Sequence, residues 1–176
     1  MSTIAVVPPE LVALFHHRWA APALALLDER GGTRFAELQR TLGVGRDSLR
    51  RALDALLALG YARRNEGYGH PLRPEYLITD AGRGAAQLAR RVTRSPARDI
   101  LLRKWSVPVL AGLQQPRRFS ELRASLPAVT PRALALALQD LESAALIRRD
   151  VLPTRPPSAL YQPTGDARLV LLGGGR

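Results

Sequence analysis

The chain has 176 residues and carries 26 Lys and Arg against 15 Asp and Glu, a formal net charge of +11. That balance indicates a polyanionic partner, with nucleic acid ahead of an anionic membrane surface. The absence of cysteine excludes disulfides, thiolate metal sites and thiol-based redox sensing, and no stretch approaches the roughly 18 apolar residues of a membrane span.

The first half of the sequence predicts a series of helices followed by a short hairpin. A helix begins near Pro9, and Pro22, just beyond Trp19, marks the boundary with the next one, which runs to about Asp28. The later predicted elements are helices Phe35–Leu42 and Arg46–Leu59, strands Tyr61–Asn65 and Glu75–Ile78, and a helix over Asp80–Thr93. Leu49, Leu53 and Leu56 recur at helical spacing and predict a buried stripe, and Gly60 ends that helix.

The second half repeats this order between Lys104 and Ala167. Trp105, Arg118-Phe119, Leu134, Arg148-Arg149, Tyr161 and Thr164 match Trp19, Arg34-Phe35, Leu49, Arg63-Arg64, Tyr76 and Thr79 in the same order. Ser95-Pro96 and Thr130-Pro131 predict helix starts, with Ser and Thr as N-caps, and the strands are expected at Leu146–Val151 and Leu160–Gln162. Repetition of this kind indicates two homologous modules, residues 1–94 and 95–176.

The order helix, helix, turn, helix, hairpin predicts a winged helix-turn-helix, so we expect a mainly α-helical (α+β) fold with small β-hairpin wings. The segments LPAVTPRALALALQDLESAALIRRD and GYGHPLRPEYLITDAG, together with RF-x-EL, resemble the HxlR branch of the MarR-like winged-helix regulators. Such proteins are usually one-module homodimers that bind palindromic operators. The tandem copies here therefore imply an intramolecular pseudo-dimer of two modules, with further dimerisation left open.

The resemblance implies that the leucine-striped helix enters the major groove and that the wing follows the DNA backbone. In the first module we expect contacts from the helix and the wing, because arginine pairs with guanine edges or phosphates. These candidates are Arg46, Asp47, Ser48, Arg50, Arg51, Arg63, Arg64, Tyr68, His70 and Arg73. The alternative is a solvated helix face with surface arginines, in a chain whose arginine-rich composition reflects GC-rich coding.

The equivalent helix of the second module is poorer in polar groups, because only Thr130, Arg132 and Gln139 can form hydrogen bonds among several alanines. This module either binds DNA weakly or serves as a platform that mimics a dimer partner, and its alanine-rich face could equally pack against another protein. The basic candidates outside this helix are Arg117, Arg118, Arg148, Arg149 and Arg155.

Trp19 and Trp105 occupy equivalent apolar positions, where core packing is expected and a cavity for a small apolar effector between the modules is the alternative. We expect the helix at 80–93 to pack against the N-terminal helix of the other module. No nucleophile–base–acid set, phosphate-binding loop or metal-ligand cluster is visible, so we expect neither an enzyme nor a cofactor. The N-terminus lacks the pattern of a signal peptide, which predicts a cytoplasmic protein.

We therefore predict a transcriptional regulator, a repressor in the first instance, that binds double-stranded DNA and responds to an effector. A winged-helix protein that sequesters a small molecule, with weak DNA binding, is the alternative. A protein–protein adaptor using the second module is a third interpretation.

Overall fold

The structure is a computed structural model, which describes residues 5–65, 74–153 and 158–173. The chain forms two compact units: one spans Ala13–Ser95, and the other combines the segment up to Val12 with the residues from Pro96 onward. The N-terminal segment thus packs with the second unit, although the sequence boundaries place it in the first module. None of the helices in the described ranges combines the length and the apolar composition that a membrane span requires.

The first unit has the predicted order of elements with one additional strand. After α1 (Pro9–His16), its elements are α2 (Ala20–Arg30), β1 (Gly32–Arg34), α3 (Phe35–Leu42), α4 (Arg46–Ala58), β2 (Ala62–Asn65), β3 (Glu75–Ile78) and α5 (Asp80–Arg94). The strands form an antiparallel sheet in the order β1-β3-β2. Thr33 and Arg64 both lie opposite Tyr76, one on each side of it. The fold is therefore a helix-turn-helix with a small winged sheet, as the sequence predicts.

The core of the first unit is built on α2, whose residues from Ala20 to Leu27 are all buried. The predicted stripe of Leu49, Leu53 and Leu56 is confirmed, because all three are buried where α4 packs against α2. Burial of a leucine side chain contributes about 1.5–3 kcal/mol relative to leaving it exposed, so this stripe fixes which face of α4 turns outward.

Helix α5 packs against α2 of its own unit. Asp28 at the end of α2 is only 12% exposed and lies 3.2 Å from Arg90 Nη1 and 4.0 Å from Arg83 Nη1. This packing lies within one unit, whereas the sequence predicts packing of α5 against the other module.

The start of α5 is hydrogen-bonded to the turn that follows α4. Thr79 Oγ1 accepts a hydrogen bond from the Gly82 N–H (3.1 Å) and donates to the Gly60 carbonyl (2.6 Å). A Cβ atom at Gly82 would lie 2.1 Å from the Tyr61 carbonyl oxygen. Only glycine allows this approach, so Gly82 sets the distance between α5 and Tyr61, the residue before β2.

The second unit repeats the fold, and its helices are shorter than their counterparts except α9, which is as long as α4. Its elements are α6 (Arg98–Leu101), α7 (Ser106–Gly112), β4 (Arg117–Arg118), α8 (Phe119–Ser125), α9 (Pro131–Ser143), β5 (Ile147–Leu152), β6 (Ser158–Pro163) and α10 (Gly165–Leu172). The sheet order is β4-β6-β5. Thr130 is confirmed as the N-cap of α9, since its side chain accepts a hydrogen bond from the Ala133 N–H. The prediction of Ser95 as an N-cap is wrong: Ser95 is the C-cap of α5, and its N–H donates to the Val92 carbonyl.

The N-terminal segment completes the second unit. Val7 is 5% exposed, and its N–H donates to the Ser125 carbonyl at 2.9 Å. Its side chain lies beside Gly112, where an added Cβ would be 3.6 Å from Val7 Cγ2. Residues before α1 therefore supply both a backbone hydrogen bond and apolar contact to a unit whose other residues lie much later in the chain.

The turns that follow α4 and α9 both contain a residue with positive φ, but that residue differs between the units. Gly60 adopts φ +68° in the first unit, and Ala145, at the same position of the repeat, adopts φ +54°. Both carbonyls accept a hydrogen bond from a threonine hydroxyl, Thr79 and Thr164 respectively. Among the described residues Ala145 is the only non-glycine with positive φ, so the second unit carries backbone strain that the first avoids.

Candidate nucleic-acid interface

Helix α4 turns a charged face to solvent. Arg46, Asp47, Arg50 and Arg51 are exposed, and Ser48 is half-buried. Arg50 Nη1 lies 3.8 Å from Asp47 Oδ1, and Arg51 Nε donates to the Asp47 carbonyl at 3.4 Å. Both contacts are at the surface, where such interactions are weak, so the guanidinium groups are free to exchange them for an external acceptor.

A cleft of about 730 Å³ lies beside this face, between α3, α4 and the sheet. Five arginines line it: Arg34, Arg40, Arg46, Arg50 and Arg64. The Arg46 guanidinium lies 5.9 Å from the centroid of the Phe35 ring, within the range of a cation–π contact, and Arg34 Nε lies 3.7 Å from Glu75 Oε1. The fold thus concentrates positive charge around a concave surface next to the helix.

Carboxylates also line the cleft. The hydroxyl of Thr33 donates to Glu37 at 2.6 Å and, with the backbone N–H of Arg34, holds the pKa of Glu37 below its ordinary value. Asp54, on α4, is exposed and also lines the cleft. The cleft therefore combines hydrogen-bond donors and acceptors, which distinguishes it from a uniformly basic groove.

The wing separates its two arginines. Arg63 and Arg64 are both exposed on β2, but adjacent residues of a strand point to opposite sides of the sheet. Arg64 lines the cleft beside α4, so Arg63 lies on the other side. The remaining wing candidates, Tyr68, His70 and Arg73, and Arg155 of the second wing, lie outside the described residues.

The corresponding face of α9 is largely apolar. Arg132, Ala135, Leu136 and Gln139 are exposed, and Leu136 retains 53% of its accessible surface. In the repeat, Ala135 and Leu136 stand where the first unit has Arg50 and Arg51. The exposed Thr130 side chain already accepts a hydrogen bond as the helix cap.

The basic residues of the second sheet divide into exposed and buried groups. Arg118, Arg148 and Arg149 are exposed, and Arg148 Nε lies 3.2 Å from Asp150 Oδ1. Arg117 is only 8% exposed, and its Nη1 is buried without a hydrogen-bond partner. This burial does not favour a contact between Arg117 and DNA, and its part in the weak DNA binding considered for the second module stays a prediction.

The model of the family described as HxlR-like helix-turn-helix matches residues 14–93 and again residues 100–170. The chain belongs to this family. The resemblance predicted from the sequence motifs is thereby confirmed, and this HxlR-like chain contains the family domain twice.

Two curated proteins similar to this HxlR-like chain are named as HTH-type transcriptional regulators. An HTH-type transcriptional regulator of Methanothermobacter thermautotrophicus is 39% identical over 69 residues, which cover 39% of this chain and 53% of the relative. The regulator YvaP of Bacillus subtilis is 38% identical over 78 residues, covering 43% of this chain and 72% of YvaP. The chain thus spans about half the length of the archaeal relative.

Among solved structures, the reduced form of the transcriptional regulator YodB from Bacillus subtilis is similar to part of this HxlR-like chain. It is 27% identical with a TM-score of 0.38, and the match covers 43% of this chain and 79% of YodB.

Both tryptophans of the HxlR-like chain are half-buried and occupy the N-cap positions of α2 and α7. Lys104 Nζ lies 5.1 Å from the centroid of the Trp105 ring. Neither tryptophan lines the arginine-rich cleft. Their role beside an effector stays a prediction. In the described part of the chain, no cluster of three or more metal-ligating side chains is present.

Sequence reasoning missed part of the cleft. Arg34, Arg40 and Tyr76 line it, and none of them was a candidate binding residue. The RF-x-EL motif contained the signal, because Arg34-Phe35 stands at the start of α3 and also ends the strand that pairs with Tyr76.

Proposed function

We propose that this HxlR-like regulator binds duplex DNA chiefly through its first unit and acts as a repressor. Helix α4 enters the major groove, and Arg64 at the base of the wing follows the backbone. The main support for this proposal is the exposed, charged face of α4, which has Arg50 and Arg51 at positions where α9 has Ala135 and Leu136. We further propose that the protein responds to an effector and that its two units act as the halves of a dimer. It would act in the cytoplasm and catalyse no reaction.

The two helices differ in what they can offer to a base edge. Arginine binds guanine through two hydrogen bonds, and a good bidentate pair contributes about 1–3 kcal/mol of discrimination. Three arginines are exposed on α4, whereas α9 exposes Arg132 alone together with Gln139. We therefore expect the first unit to supply most of the sequence specificity, with the second adding phosphate contacts through Arg118, Arg148 and Arg149.

Fluorescence anisotropy with genomic duplex fragments, over a series of salt concentrations, tests this function. The chain should bind a specific fragment more tightly than random duplex. A plot of log affinity against log salt concentration should have a slope of about −0.9 per neutralised phosphate, with about 6–10 phosphates neutralised. The variant Arg50→Ala/Arg51→Ala should lose at least about tenfold in specific affinity, the equivalent of one bidentate contact. Arg132→Ala should lose less, and Arg168→Ala, which removes an exposed charge from α10, is the matched control.

Two results would count against the proposal. A chain that binds no fragment more tightly than random duplex, even at low salt, is not a sequence-specific regulator and is better explained as a small-molecule-binding protein. Equal losses from the substitutions in α4 and α9 would show that the apolar helix is used as fully as the charged one.

A further inference from the structure

We infer that the cleft between α3, α4 and the first sheet is a binding site for a small aromatic anion with hydroxyl or amino groups, of the class of nucleoside monophosphates. We further infer that its occupant excludes DNA from α4, and this second part rests on the proposed DNA-binding function. Such a ligand would regulate the protein by direct competition at the DNA-contacting surface.

The size of the cleft suits a compact ligand. Sites for small molecules and cofactors typically enclose about 300–1,000 Å³ and combine apolar walls with a few placed polar groups. The cleft has a volume of about 730 Å³ and is walled by Phe35, Pro74 and Tyr76 between charged side chains. A sugar–phosphate backbone has no aromatic ring to place against these walls.

The cations of the cleft provide the anion-binding end. Arg34 is engaged by Glu75 and Arg50 by Asp47, but no described residue forms an ion pair with Arg40, Arg46 or Arg64. Guanidinium groups bind phosphate and carboxylate oxygens through paired N–H donors. Three such groups around one concavity are suited to a doubly charged phosphate monoester.

The aromatic side chains provide a stacking surface. Phe35 and Tyr76 are half-buried, and both line the cleft. Bases stack on aromatic rings whatever their sequence, because every base has a π face. In a duplex those faces are already stacked on neighbouring bases, so a free nucleotide can use these rings and an intact duplex cannot.

The carboxylates of the cleft favour a small ligand with hydrogen-bond donors over a DNA backbone. Glu37, held ionised by Thr33, and Asp54 would repel a phosphodiester, yet each can accept a hydrogen bond from a hydroxyl or amino group. No described ion pair neutralises Asp54. A ligand with phosphate at one end and hydroxyl or amino donors at the other matches this distribution of charge.

Competition follows from shared residues. Arg46, Arg50 and Arg64 line the cleft and are also DNA-binding candidates. A ligand that takes up these guanidinium groups removes them from the DNA-facing surface, so each ligand should weaken the binding of the other.

Isothermal titration calorimetry of the full chain with AMP, and separately with inorganic phosphate, tests the site. AMP should bind at least about tenfold more tightly than phosphate, because phosphate lacks the ring and the ribose. Arg40→Ala and Asp54→Ala should each weaken AMP binding about tenfold, the loss expected for a charge-assisted hydrogen bond. Arg51→Ala, on the same helix but outside the cleft, should leave AMP binding unchanged. Absence of AMP binding, or AMP binding unchanged in both cleft variants, would overturn the inference.

The DNA arm separates competition from the DNA-binding function itself. Saturating AMP should raise the Kd for the specific duplex at least about tenfold, and Asp54→Ala should bind DNA as tightly as the wild type or more tightly while losing sensitivity to AMP. Cleft-dependent AMP binding that leaves DNA affinity unaltered would overturn the exclusion of DNA. If the chain binds no DNA at all, the calorimetry still decides whether the cleft is a nucleotide site.

Discussion

Exchanging glycine and alanine in the turns after α4 and α9 should change the stability of the two units in opposite directions. Ala145 holds φ +54° and Gly60 holds φ +68°, both in the left-handed region. An alanine there costs about 1–2 kcal/mol relative to its right-handed conformation. Glycine avoids that cost but gives up about 0.5–1 kcal/mol through the larger conformational entropy of the unfolded chain. Ala145→Gly should therefore stabilise the second unit by about 1 kcal/mol.

Gly60→Ala is the matched reverse substitution. A Cβ atom at Gly60 would meet no heavy atom within 4 Å, so the substitution introduces the backbone cost without a clash. It should destabilise the first unit by about 1 kcal/mol. Because both carbonyls accept the same type of threonine hydrogen bond, that contact is common to the two positions and cancels in the comparison.

Hydrogen exchange measured by mass spectrometry suits this pair, because it reports protection for α4 and α9 separately. A change of 1 kcal/mol corresponds to about a fivefold change in the opening equilibrium. Protection of α9 should rise in Ala145→Gly, and protection of α4 should fall in Gly60→Ala. A loss of protection in α9, or no change in either helix, would refute the assignment of strain to this turn.

Two further substitutions test other contacts of the first unit. Gly82→Ala should destabilise the first unit by about 3 kcal/mol in chemical denaturation, because the new Cβ would lie 2.1 Å from the Tyr61 carbonyl oxygen. The control Gly84→Ala, in the same helix but with open space around it, should stabilise the unit by about 1 kcal/mol. Equal effects of the two substitutions would contradict the steric explanation. Thr33→Val should raise the pKa of Glu37 towards its ordinary value of 4.5 in an NMR titration, because it removes the hydrogen bond that lowers it most. A carboxyl group whose pKa is lowered by folding stabilises the fold above its ordinary pKa, and this stability is lost as the pH falls through the pKa of the folded state. The Thr33→Val variant should therefore lose less stability on acidification than the wild type. An unchanged titration of Glu37 would contradict the hydrogen bond as the cause of the lowered pKa.

The tandem winged fold could be predicted from sequence because it depends on patterns that repeat. The leucine spacing of α4, the Thr130-Pro131 helix start and the paired motifs each carry a local physical signal, and each is confirmed. Strands β1 and β4 escaped prediction because two or three residues are too few to show alternation, and they become strands only by pairing with β3 and β6.

Residues of the candidate site could be predicted from sequence only where their position along a helix determines whether they are exposed. The exposed face of α4 follows from the period of its buried stripe, so Arg46, Arg50 and Arg51 could be assigned. Arg117 and Arg118 are adjacent in the chain, and nothing in their identity tells that the first is buried and the second exposed. The cleft needed tertiary structure, because Arg40, Asp54 and Tyr76 come together only when α3 and α4 pack beside the sheet.

The hydrogen bond from Val7 to Ser125 also has a consequence for the order in which the chain folds during synthesis. The first unit closes within residues 13–95, so it has all its partners once that stretch has left the ribosome. The second unit needs the segment before α1 as well as one of the later helices. The Val7 side chain therefore stays exposed to solvent until α8 has emerged from the ribosome. Deleting the residues before Pro8 should accordingly slow or weaken the folding of the second unit while the first folds as before.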